Sequence, residues 1–158
     1  MATVEDYTSG RVCDQIKMVF SIYDTAEERL NGTETGQNVL AAINKFEPRK
    51  LSVEETIQLV ENADQCAIGE RVCRAVFTET PLTETIFLDE LARGMVAAGK
   101  ARYATKSEAI DNIYKYSKKS IIVSKVSGKH AEICFTWPKQ CVYWNAEKHG
   151  LKCILQSS

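Results

Sequence analysis

The N-terminal part of the chain has the spacing of apolar residues that is typical of amphipathic helices. Between residues 12 and 30, apolar side chains recur at intervals of three and four, at Val12, Ile16, Val19, Tyr23, Ala26 and Leu30. This stripe predicts one long helix that ends at Asn31 and Gly32. A second, shorter helix is expected over residues 35–46, because Pro48 follows it.

Two capping boxes predict helix starts further along the chain. Ser52 and Glu55 form one pair, and Thr105 and Glu108 form the other. In each pair the hydroxyl and the carboxylate can satisfy backbone amides that the first helical turn leaves without partners. Between these two helices, residues 84–99 are also predicted to be helical, since one face would carry Leu88, Leu91, Ala92, Met95 and Val96.

The pattern changes to that of β-strands after residue 119. The runs SIIVSKV and HAEICFTW are rich in β-branched and aromatic residues, and Ser127, Gly128 and Lys129 lie between them. This arrangement predicts a β-hairpin whose second strand ends at Pro138. The remaining residues are expected to form a short helix closed by Gly150 and a last apolar segment.

Together these elements predict a mainly α fold with a C-terminal β-hairpin, in the α+β class. We expect a single domain over residues 1–158, with N-terminal helices in residues 1–50 and a cysteine-bearing helical and hairpin part in residues 51–158. The order helix, helix, hairpin in residues 84–136 also permits a winged-helix-like arrangement. Strand–helix–strand alternation and the glycine motifs of nucleotide-binding folds are missing from the sequence.

The composition indicates a globular, cytoplasmic protein. Hydrophobic residues make up 44% of the chain and charged residues 26%, which is far from a disordered composition. The sequence has no apolar run of about 18 residues that could cross a membrane, and no basic, then apolar, leader at its start.

The charge is unevenly distributed. Residues 1–99 contain 9 basic and 17 acidic residues, whereas residues 100–158 contain 11 basic and 4 acidic residues. Packing of the two parts against each other explains this difference, and so does an acidic partner. A winged-helix nucleic-acid-binding regulator is therefore one alternative function, with phosphate contacts from Lys106, Lys115, Lys118, Lys119, Lys125 and Lys129. Against it, Glu108 and Asp111 lie where the recognition helix would face the groove.

The six cysteines are the main candidates for chemistry. Cys66 and Cys73 are separated by six residues, as are Cys134 and Cys141, and Cys153 follows the second pair. Buried cysteines without a reaction are common, and this is our interpretation of Cys13. If the other five thiols converge, they can hold a 4Fe-4S cluster, whereas His130 or His149 with cysteines would suit zinc. A dithiol–disulfide switch is the alternative without a metal.

Part of the chain resembles a known family. The runs AIGERVCRAVF and PLTETIFLDELARGMVAAGKARYATKSEAI, within about residues 63–113, are similar to segments of small 4Fe-4S, ferredoxin-type iron–sulfur proteins of anaerobes. Arg71 and Thr85 stand where that family has cysteines, and Cys73 falls on a family ligand position. The resemblance implies either a lost cluster or one rebuilt with the C-terminal cysteines.

These observations predict an accessory or electron-transfer protein of anaerobic metabolism. It would bind an iron–sulfur cluster or perform thiol redox chemistry through Cys66, Cys73, Cys134, Cys141 and Cys153. A zinc-binding structural subunit of a larger complex is a further alternative. The expected partner is another protein or a redox complex, rather than a membrane.

Overall fold

The computed structural model of the protein describes residues 2–25, 30–70, 84–136 and 141–156. Within these ranges the helices are α1 Val4–Thr8, α2 Arg11–Thr25, α3 Glu34–Asn44, α4 Val53–Asn62, α5 Asp89–Ala97, α6 Lys106–Lys115 and α7 Val142–Lys148. The strands are β1 Arg49–Leu51, β2 Cys66–Glu70, β3 Glu84–Leu88, β4 Ala101–Ala104, β5 Ser120–Val126, β6 Lys129–Thr136 and β7 Leu155–Gln156.

The helices with the clearest sequence signals are confirmed. Helix α2 buries Val12, Ile16, Val19 and Tyr23 of the predicted stripe and ends at Thr25, whereas Ala26 lies outside the described residues and Leu30 is buried beyond the helix. Helix α3 lies within two residues of its expected bounds. Helix α4 begins with a capping box, in which Ser52 Oγ accepts a hydrogen bond from the Glu55 amide at 3.2 Å and the Glu55 carboxylate accepts one from the Ser52 amide at 3.1 Å. The second capping box opens α6 in the same way.

The strands form one sheet in the order β4-β2-β3-β6-β5-β1-β7. Neighbouring strands are antiparallel, except that β1 and β7 are parallel. The predicted hairpin is confirmed as β5 and β6, but it lies in the middle of the sheet. The expectation of a mainly α fold with a C-terminal hairpin is therefore wrong, because the hairpin has further strands on both sides.

The strands β2 and β3 explain the error. Each strand has five residues and contains a continuous run of buried residues, because the sheet is covered on both faces. Each therefore lacks the alternation of a half-exposed strand. Such runs do not differ in period from a short piece of buried helix. The helix expected over residues 84–99 is thus a strand up to Leu88, followed by α5.

The winged-helix-like arrangement is also wrong. A wing is a hairpin at the edge of a small domain, where it can reach DNA. Here β6 pairs with β3, and β5 pairs with β1, so both strands of the hairpin are interior strands of the sheet. None of the helices in the described ranges has the length and apolar character needed to cross a bilayer.

The sheet has two differently covered faces. On β3 and β6, Phe87 lies opposite Glu132 and Ile86 lies opposite Ile133, so each pair marks one face. The face of Phe87 and Glu132 is covered by α1, α2, α3, α5 and α7, and we call it the α2 face. The face of Ile86 and Ile133 is covered by α4 and α6, and we call it the α4 face.

Candidate ligand-binding site

The predicted cysteine site is divided by the sheet. Cys66 belongs to the core of the α4 face, opposite Leu88 on the neighbouring strand. Cys134 shares the α2 face with Glu132, because both occupy alternate positions of β6, and Cys153 belongs to the core on that face. Cys141 is buried at the start of α7. Cys73 lies outside the described residues.

The prediction of a metal-binding, iron–sulfur protein is wrong for the part of the chain that the structure describes. In those residues, no group of three or more histidine, cysteine, aspartate or glutamate side chains could hold a metal ion. The equal spacing of the two cysteine pairs was misleading because Cys66 begins a strand whose register directs it to the α4 face.

Two of the described thiols are poor nucleophiles. Burial raises the pKa of Cys153 to about 12, and the nearby Glu147 and Cys141 add to that increase. Glu147 Oε2 accepts hydrogen bonds from the amides of Cys153 and Ile154 at 2.6 and 3.2 Å, which holds its charge beside the thiol. Burial also raises the pKa of Cys66. Both thiols therefore stay protonated near neutral pH, whereas thiol redox chemistry needs the thiolate.

The two histidines considered as zinc ligands, His149 and His130, lie next to aromatic or basic side chains. The ring of His149 is stacked on Tyr23, with centroids 5.0 Å apart and an interplanar angle of 8°. Burial, with Lys125 and Arg49 nearby, lowers the pKa of His130.

A cavity of about 60 Å³ lies on the α2 face and is partly open to the surface. It is bordered by α1, α2, α3, β6 and the start of α7. Its wall is mainly apolar and includes Val12, Ile16, Val19, Ile43, Phe46 and Val142. A partly open apolar cavity with a few inward polar groups is the usual form of a small-molecule site.

Four polar side chains form a cluster at this cavity, which we call the Glu132 cluster: Tyr7, Ser124 and Glu132, which are buried, and Tyr143, which is half-buried. The Tyr7 hydroxyl donates a hydrogen bond to Glu132 Oε1 at 2.8 Å. The Ser124 side chain also hydrogen-bonds to Glu132, and its Oγ lies 3.0 Å from the Tyr143 hydroxyl oxygen. Tyr7, Glu132 and Tyr143 line the cavity, so the cluster joins its wall to the sheet.

The position of Glu132 follows from the strand. Glu132, Cys134 and Thr136 alternate along β6 and all line the cavity, while Ile133 and Phe135 point into the core of the α4 face. Because β6 is an interior strand covered on both faces, Glu132 and Thr136 are enclosed rather than solvated. Glu132 is only 9% exposed.

Burial determines the protonation of the cluster. It raises the pKa of Glu132 to about 7, although the hydrogen bonds from Tyr7 and Ser124 act in the opposite direction. The pKa of Tyr7 is raised well above its usual value, first by burial and then by the charge of Glu132. At neutral pH the carboxyl group therefore exists in both forms, and Tyr7 remains a donor.

Tyr23 fixes the helix that closes one side of the cavity. Its hydroxyl donates to the Val142 carbonyl at 2.9 Å, at the first residue of α7, and its ring stacks on His149 just after the last residue. The wall formed by α7 is thus attached to α2 at both ends.

Comparison of the chain with protein-family models, with curated protein sequences and with solved structures found no match. The resemblance of residues 63–113 to ferredoxin-type proteins stays a prediction. The same holds for the expected protein partner and for the nucleic-acid alternative.

The sequence interpretation missed the Glu132 cluster. The alternation of Glu132, Cys134 and Thr136 with apolar residues is typical of a strand with one solvated face. The continuous apolar run IIV in residues 121–123 gave a contrary signal, because it is typical of a strand buried on both faces. A hairpin partner of such a strand is itself covered, and a glutamate within it becomes a candidate site residue.

Proposed function

We propose that the protein binds a small, mainly apolar molecule with one polar end in the cavity on the α2 face. The observation that carries this proposal is a buried carboxyl group, Glu132, in the wall of a partly open apolar cavity. Burying a carboxyl group is unfavourable, and a fold that served only for packing would gain from an apolar residue there. A binding site, in contrast, needs such a group to orient its ligand.

The test uses two matched substitutions on α3. Ala42 lines the cavity, whereas its neighbour Ala41 is exposed and lies outside it. Ala42→Leu should fill part of the cavity, and Ala41→Leu adds the same side chain on the solvent side. The probe is 1-butanol, and binding is followed by the NMR shifts of the methyl groups of Ile16 and Ile43.

We expect saturable shifts of these methyl groups in the wild type and in Ala41→Leu, with about tenfold weaker binding in Ala42→Leu. The methyl groups of Ile113, on the α4 face, should not respond. The absence of saturation in the wild type, or equal binding by the two variants, would overturn the proposal.

A further inference from the structure

Resting on the proposed function, we propose that the polar end of the ligand is a protonated amine that pairs with Glu132. The ligand class is thus a short alkylammonium or a comparable small organic cation. The geometry of the Glu132 cluster supports this, together with the charges and rings around the cavity.

The first argument is the unused hydrogen-bonding capacity of Glu132. An ionised carboxylate offers about four lone-pair positions. Tyr7 and Ser124 occupy two of them, and the side chain lines the cavity. A primary ammonium group brings three donors and no acceptor, so it matches the positions that remain.

The second argument is the character of the groups already in place. The Tyr7 hydroxyl donates to Glu132, and a hydroxyl donor stabilises the charged form of a carboxyl group. Yet across residues 2–25, 30–70, 84–136 and 141–156, no basic side chain is found in an ion pair with Glu132. The site is therefore arranged for a carboxylate while the described chain supplies no counter-charge, and a ligand cation provides it.

This arrangement distinguishes the amine from other polar ends. A ligand carbonyl can pair only with the protonated form of Glu132, and it brings no counter-charge to the carboxylate. A ligand carboxylate would place two like charges next to each other in a buried site. An alcohol is compatible with the site but adds no charge.

The third argument is the aromatic side chains in the wall. Tyr7, Phe46 and Tyr143 all line the cavity, and the rings of Tyr7 and Phe46 pack edge to face with centroids 6.0 Å apart. Ring faces attract ammonium groups, most strongly where water is excluded. A carboxylate combined with aromatic rings is suited to a cation rather than to an anion.

The cavity also limits the size of the ligand. Its volume of about 60 Å³ is well below the roughly 150 Å³ of a cavity that accepts benzene. A ligand of about three to five non-hydrogen atoms is therefore expected.

The experiment compares three probes of similar size: n-butylamine, 1-butanol and propionate, at neutral pH. Their dissociation constants are measured from the shifts of the Ile16 and Ile43 methyl groups. Two variants are compared with the wild type. Glu132→Gln removes the buried charge with little change of shape, whereas Glu61→Gln removes an exposed charge on α4, on the other side of the sheet.

We expect n-butylamine to bind the wild type at least about tenfold more tightly than 1-butanol, and propionate to bind most weakly. Glu132→Gln should remove this preference, and unchanged methyl shifts of Ile113 on the α4 face would show that the variant is folded. Glu61→Gln should behave like the wild type. If Glu132→Gln does not fold, the ratio of amine to alcohol affinity in the wild type decides alone.

The two proposals fail in different ways. Binding of 1-butanol that equals or exceeds binding of n-butylamine would overturn the amine proposal and leave the proposed binding function intact. Failure of all three probes to bind at the cavity would overturn both.

Discussion

The two faces of the sheet use the same strands for different purposes. Along β6, Ile133 and Phe135 enter the α4 face and are completely buried in the core that α4 and α6 cover. Their neighbours Glu132 and Cys134 enter the α2 face and line a cavity. Two helices are enough to cover the first face, while five described helices surround the second and leave space. A strand buried on both sides can thus supply stability through one set of residues and a site through the other.

The largest expected difference between the faces concerns large-to-small substitutions. Ile113 on α6 is fully buried in the α4 face, and Ile16 on α2 lines the cavity. We expect Ile113→Ala to lower the free energy of unfolding by about 4 kcal/mol, because it opens a new cavity in a packed core. Ile16→Ala should cost about 2 kcal/mol, since it enlarges an existing space. Urea unfolding of both variants measures this, and equal losses would contradict the contrast.

The next effect is a pH dependence of stability that originates on the α2 face. The pKa of Glu132 is raised from 4.5 to about 7, so the folded protein holds this proton more tightly than the unfolded chain. The resulting stabilisation is fully present below the unfolded value and is lost as the pH rises through the folded value. It amounts to roughly 3 kcal/mol.

This pH effect is measured by urea unfolding of the wild type, Glu132→Gln and Glu61→Gln on both sides of that range. Groups other than Glu132 titrate in all three proteins, so the comparison isolates the buried carboxyl group. Glu132→Gln should lose most of the decrease in stability between about pH 5 and pH 8, whereas Glu61→Gln should keep it. An unchanged slope in Glu132→Gln would show that the carboxyl group is not buried as described.

A smaller effect concerns the hydrogen bond within the Glu132 cluster. Tyr7→Phe keeps the ring and removes the hydroxyl that donates to Glu132. We expect a loss of about 2 kcal/mol near neutral pH, because a buried carboxylate loses a donor. Tyr114→Phe is the control, since Tyr114 is 59% exposed; its effect should stay within about 0.5 kcal/mol. If thermal or urea unfolding shows similar losses of stability for Tyr7→Phe and Tyr114→Phe, the hydrogen bond from Tyr7 to Glu132 does not contribute as expected.

The smallest expected effect tests how α1 is held against the α2 face. A Cβ atom added at Gly94 on α5 would clash with Val4 Cγ1 on α1, the helix that carries Tyr7. Gly94→Ala should therefore lower the free energy of unfolding by about 1 kcal/mol, despite its better helix propensity. In a Val4→Ala background the same substitution should be neutral or stabilising. A double-mutant cycle measures the coupling, and additive effects would mean that α1 does not rest on Gly94.

The sequence was sufficient for elements whose signals are local. Each of these signals comes from residues that are close together in the sequence: the stripe of α2, the capping boxes of α4 and α6, and the two strands of the hairpin. Strand β3 was predicted as part of a helix and β2 was not predicted, because the burial of both comes from helices on both faces of the sheet, which a window of neighbouring residues does not reveal. The spacing of the cysteines likewise does not reveal which face Cys66 lies on, because the strand register decides it.

The candidate site was beyond sequence reasoning for a stronger reason. Tyr7 and Glu132 are 125 positions apart in the chain, and their contact depends on α1 lying over an interior strand. Seen alone, Tyr7 is one aromatic residue near the N-terminus, and Glu132 is a polar residue in an alternating strand. The unusual feature, a buried carboxyl group at an apolar cavity, arises only from the assembled fold.

The attachment of Tyr23 has a mechanical consequence. The Tyr23 hydroxyl is bonded to the first residue of α7, and the Tyr23 ring is stacked on the residue just after the last, so both ends of this helix are held in place. An outward movement of either end of α7 disrupts a contact with Tyr23. Any widening of the cavity on that side must therefore break one of these two Tyr23 contacts or move α2 and α7 together.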